Sequence, residues 1–99
     1  MAVVSHTRWS GGNRDAIVAA AKKAKAIHEK AGAEFLRLGQ IQTGPHAGQW
    51  LVTVRHPDWE TYGKAMQTLS GNATWQKLLA EVGAMSQLID RTVVVSIDL

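Results

Sequence analysis

Ninety-nine residues form a chain for one domain with one hydrophobic core. The 45% apolar and 19% charged composition excludes a disordered or fibrous class, and the absence of cysteine excludes disulfides and thiolate metal sites. No run approaches the ~20 apolar residues of a membrane span, and the N-terminus lacks the pattern of a secretory signal, so a soluble, cytoplasmic protein without a membrane partner is expected. The net charge of +3 owes much to Lys22, Lys23, Lys25 and Lys30 of one predicted helix, which read as a solvated face.

Val3 to Trp9 are rich in β-formers and run into the breaker Ser10-Gly11-Gly12, which predicts a first strand. Asn13 suits an N-cap. Behind it Ile17, Ala20, Ala21, Ala24, Ile27 and Ala31 recur at helical spacing, and Gly32 supplies the stop. The stripe is mostly alanine, which lets the helix lie close on a sheet. Glu34 to Thr43 and Gln49 to Arg55 read as strands joined by the turn Gly44-Pro45-His46-Ala47-Gly48, the composition of an antiparallel hairpin. Pro57 holds His56 extended and Asp58 caps a second helix with Tyr62, Ala65, Met66 and Leu69 inward. Ser70-Gly71-Asn72 interrupts that helix. A short third segment places Trp75, Leu78, Leu79 and Val82 on one side, with Gly83 closing it, and a last strand runs from about Ser86 to Asp98. The order is β-α-β-β-α-β in one unit spanning residues 1–99: an α+β, ferredoxin-like fold with a four-stranded antiparallel sheet and helices on one face.

Apolar side chains fall on both faces of these strands. Val93 and Val95 oppose Val94, Trp50 and Val52 oppose Leu51, and Phe35 opposes Leu36 and Leu38. A sheet face this apolar marks an interface, so a homodimer with two sheets face to face is expected. Polar residues interspersed on that face, His6, Arg8, Arg37, Thr53, Arg55, Ser96 and Asp98, are then the candidates to line the enclosed space.

Among them His6 is the candidate catalytic acid or base, since neighbours can tune a strand histidine in a partly buried cleft to act as acid or base near neutral pH; a hydrogen-bonded interface histidine is the structural alternative. Arg37 is the candidate stabiliser of a developing anion and Arg8 a candidate ligand-binding cation, because guanidinium offers a fork of donors; an interchain ion pair with Asp90 or Asp98 is the structural alternative. Of the four tryptophans, Trp50 and Trp75 are candidate walls for a flat ligand, as is Tyr62, whose helical spacing also suits a core position. His28, His46 and His56 show no ligand spacing, and no metal site is expected. No phosphate loop or serine-histidine-acid set is visible.

The chain resembles the dimeric α/β-barrel superfamily, with its antibiotic-biosynthesis monooxygenase-like and NIPSNAP-like members. The resemblance rests on Gly44-Pro45-His46-Ala47-Gly48-Gln49, on Asp58-Trp59-Glu60-Thr61-Tyr62-Gly63 and on Asn72-Ala73-Thr74-Trp75-Gln76-Lys77-Leu78-Leu79, and it covers nearly the whole chain. It implies two subunits forming one barrel, and a function drawn from cofactor-free monooxygenases, haem-degrading enzymes, cyclases or proteins of no assigned activity. The haem-degrading branch pairs an asparagine on the first strand with a helical tryptophan and histidine. Here Ser5 and His6 occupy that neighbourhood and no histidine follows Trp75 in its helix, so no cofactor is expected.

Two functions remain open. One is a cofactor-independent, monooxygenase-like enzyme acting on a small aromatic or polyketide-like substrate; the other is a non-catalytic small-ligand-binding or stress-associated structural dimer. Nucleic-acid binding is not expected despite a pI of about 9.6, because Gln49-Trp50-Leu51-Val52-Thr53-Val54-Arg55 lacks the basic-and-aromatic pattern of RNA-recognition strands.

Overall fold

The computed structural model describes residues 1–99, and seven elements follow one another: β1 (Val3–Ser10), α1 (Arg14–Lys30), β2 (Phe35–Gln40), β3 (Trp50–His56), α2 (Trp59–Ser70), α3 (Ala73–Met85) and β4 (Gln87–Val95). Each helix begins where a short polar side chain can accept from free backbone N–H groups. Asn13 accepts from Asp15 and Ala16, Asp58 from Thr61 at 2.7 Å, and Asn72 from Trp75 at 2.8 Å. Gly32 ends α1 at φ 113°, a left-handed conformation that a side chain would strain. Gly83 does not end the third helix. Its φ is negative, so it sits as an ordinary helical residue, and α3 continues to Met85 before Ser86 turns extended.

The four strands form one antiparallel sheet in the order β2-β3-β1-β4, with all three helices on one face. Strands β2 and β3 are the expected hairpin, closed through Gly44 and Gly48, both near φ 90°. The pairing register sorts the side chains. Leu36, Val54, Ser5 and Val93 form one cross-strand row under the helices, and Leu38, Val52, Thr7 and Arg91 the next. On the open face the rows are Phe35–Arg55–Val4–Val94, Arg37–Thr53–His6–Thr92 and Gly39–Leu51–Arg8–Asp90. Between β1 and β4 the register slips: Arg8 pairs with Asp90 and Trp9 with Leu88, leaving Ile89 as a bulge. That extra residue is why Leu88 and Ile89 fit neither strict alternation.

The helical layer does not fill the space beneath it. Only 14 of 99 residues are buried, and instead of a continuous core the molecule has an internal cavity. The edge strand β4 is almost wholly exposed, with Val93 and Val94 at 38% and 44%. No helix is long and apolar enough to cross a membrane.

Candidate functional site

The cavity, about 390 Å³, lies between the sheet and the helices. Of its 23 lining residues 17 are hydrophobic, so the six polar ones decide what chemistry it can hold: Ser5, Thr7, His28, Ser70, Gln76 and Arg91. Its roof is the alanine stripe of α1. Short side chains at Ala20, Ala21 and Ala24 leave room where larger ones would have packed onto the sheet.

His28 stands at the end of that stripe, 7% exposed, with the ring of Trp75 edge-on at 4.6 Å. Its Nδ1 is buried without a hydrogen-bond partner. Burial, reinforced by the neighbouring positive charges of His56 and Arg91, pushes its pKa down to about 4, so the imidazole is neutral across the physiological range. His56, at the end of β3, is fully buried with both ring nitrogens unpartnered and lies edge-on to Tyr62 at 5.4 Å. Burial holds its pKa below the usual histidine value, against the opposing pull of Glu34.

Arg91 is the one charged residue of the lining. Its Nη2 donates to the Tyr62 hydroxyl at 2.7 Å and contacts Met66 Sδ at 3.5 Å, tying β4 to α2 across the cavity's side. Ser70, Gln76, Leu88 and Arg91 line the cavity yet are exposed, which locates its openings along β4 and the α2–α3 junction.

The six residues singled out from sequence divide between the two sides of the sheet. Trp50 and Trp75 line the cavity, and Tyr62 borders it through Arg91. His6, Arg8 and Arg37 lie on the open face, away from it. There His6 Nδ1 is 3.1 Å from Thr53 Oγ1, Arg8 bonds Gln49 and Asp90, and Arg37 stacks over Phe35 at 4.0 Å. The Arg8–Asp90 ion pair forms within one chain, whereas the sequence had suggested one between chains.

His28 and Arg91 escaped the sequence reading, although both left a signal. The stripe Ile17, Ala20, Ala21, Ala24 reaches His28 at the next i+4 step, and Arg91 shares parity with Val93 and Val95. A polar residue at an inward position of an otherwise apolar face was the clue in each case.

No family model and no curated protein matches the sequence. Solved structures do match by fold. SnoaB, a cofactor-independent oxygenase from Streptomyces nogalater, superposes with a TM-score of 0.72 at 10% identity, over 99% of this chain and 95% of its own. A putative antibiotic biosynthesis monooxygenase from Chloroflexus aurantiacus gives 0.68 at 14% identity, and a NIPSNAP family protein from Agrobacterium tumefaciens 0.66 at 12%, each over 99% of this chain and 95% of that one. At such identities the likeness speaks for architecture alone, and the chain has the ferredoxin-like fold of antibiotic-biosynthesis monooxygenase-like and NIPSNAP-like proteins, as the sequence resemblance implied.

Proposed function

We propose that the protein is a cofactor-independent, monooxygenase-like enzyme that binds a small aromatic or polyketide-like substrate in the cavity and works as a homodimer. The observation that carries this reading is one apolar cavity with a buried neutral imidazole inside and a guanidinium at its opening. His28 accepts a proton from an activated C–H of the substrate, and Arg91 stabilises the carbanion or enolate that results. The low proton affinity of His28 in the empty cavity rises once an anion forms beside it, since the imidazolium then has a counter-charge. The substrate carbanion supplies the electrons that reduce dioxygen. A CH₂ group becomes a carbonyl and the second oxygen atom leaves as water, so no external reductant is consumed. Trp50 and Trp75 offer flat walls, and Tyr62 fixes the Arg91 fork.

On this reading His6, Arg8 and Arg37 act at the open sheet face, which a second copy covers. The apolar members of that face, Val4, Phe35, Leu51 and Val94, flank the polar row through His6 and Thr53. The second reading, a non-catalytic ligand-binding dimer, draws on the predominance of apolar lining.

Oxygen uptake with a panel of anthrones and naphthols distinguishes the two. His28→Gln and Arg91→Gln should each lower kcat by about 100-fold or more, while His6→Ala stays within about twofold. Full turnover by His28→Gln would reject the assignment, and saturable binding without any oxygen uptake would favour the carrier.

A further inference from the structure

The cavity is polar at one end and apolar at the other. From Ile17 to His28 it follows α1 for eleven residues, about 16 Å at 1.5 Å per residue. His28, Trp75, Gln76 and Ser5 gather at the end where α1 finishes and α3 begins. The other end, where β1 runs out and α3 finishes, is walled by Ile17, Trp9, Trp50, Leu79, Val82 and Leu88.

That apolar end is thin. Outside it runs an open surface groove along the last turn of α3 and the start of β4, and Trp9, Leu79 and Leu88 line cavity and groove alike. Trp9 is fixed, its indole N–H donating to Thr7 Oγ1 at 2.9 Å. Leu88 is 47% exposed although it lines the cavity, and it sits beside the bulge that re-aims this part of the edge strand. The groove floor has little side chain to fill it. Gly83 and Ala84 are exposed, a Cβ added to Gly83 meets no atom within 4 Å, and Ser86 beside them is pinned by its hydroxyl donating to the Ser10 carbonyl.

The geometry points to a ligand longer than the cavity: a polar ring at the His28 end, and an apolar alkyl or acyl arm that passes between Trp9, Leu79 and Leu88 into the groove. Trp9, Leu79 and Leu88 are all that separates the two spaces, and an apolar arm that displaces Leu88 buries methylenes against the same apolar side chains on either side of them. The inference rests on the cavity being the site proposed above, and it adds the shape of the substrate class.

The test measures binding by quenching of tryptophan fluorescence with 5-alkylresorcinols carrying methyl, propyl, pentyl, heptyl and nonyl arms. Affinity in the native protein should rise about fourfold per added methylene through the longest arms. Gly83→Leu fills the groove from outside, on a helix position where leucine is favoured over glycine. It should end the gain at shorter arms and leave the methyl and propyl compounds binding as before. A plateau at one arm length in both proteins, or no binding by any member, overturns the inference. Because the readout is binding, a missing oxygen uptake with this arm-length pattern intact would refute the enzyme and leave the long ligand, and normal uptake without the pattern would do the reverse.

Discussion

The two faces of the sheet are built from the same strands and nearly the same mixture of residues, yet one borders a cavity under the helices and the other is open. Under the helices, Leu36, Val54, Trp50 and Val52 surround a cavity in which polar groups are few and poorly partnered, His28 above all. On the open face polar groups are plentiful and mostly partnered: His6 with Thr53 and Arg8 with Asp90 and Gln49, while Arg55 forms a 3.6 Å ion pair with Glu34 that leaves its Nε without a hydrogen bond. A buried polar group without a partner costs free energy, and a ligand that pairs with His28 relieves that cost.

The largest expected contrast is in pH dependence. The folded-state pKa of His28 lies below the unfolded value of 6.5, so the unfolded chain binds its proton first; stability is whole above pH 6.5 and falls as pH drops toward about 4. The full loss is about 3 kcal/mol. His56 shifts in the same direction and adds to it. Denaturant melts from pH 7 to pH 4 should show this decline, and His28→Phe should flatten part of it. An equal slope in native protein and His28→Phe would break the distinction between the faces.

Truncation comes next. Leu36→Ala, 6% exposed under α1, should cost about 2 kcal/mol, at the low end for a buried leucine because the site adjoins space already empty. Val94→Ala, 44% exposed, should cost less than about 0.5 kcal/mol in a monomer. A larger loss for Val94→Ala that grows with protein concentration would measure the second copy on the open face. Smallest is Asp90→Asn. With Asp90 at 52% exposure the pair to Arg8 is screened, and its loss should fall within about 0–1 kcal/mol, diminishing further in high salt.

Most elements were legible in the sequence because they depend on near neighbours: Asn13 and Asp58 sit where the first turn needs an acceptor, and Gly32 takes the conformation its place required, while Asn72, read only as part of a break, also caps the helix that follows. Gly83 misled because glycine stops a helix only when the chain there turns left-handed, which the docking of Ser86 on Ser10 does not require. The location of the cavity was harder to read. The sequence placed His6 and Arg37 on the face turned away from the helices, where they lie, but alternation along strands does not show that the helices leave a cavity on the other face, lined by His28 and Arg91. Trp50 and Trp75 were legible as pocket walls because large flat side chains on inward positions have few other places to go.

The most direct test of the cavity as the binding site uses the four indole N–H signals in a nitrogen–proton NMR spectrum during titration with 5-pentylresorcinol. Trp9, Trp50 and Trp75 line the cavity, while Trp59 is 54% exposed on the outside of α2 and serves as the control. The three cavity signals should move together and saturate with Trp59 unmoved. Saturable shifts confined to Trp59, or appearing on the His6 ring with the three cavity signals still, would contradict the account.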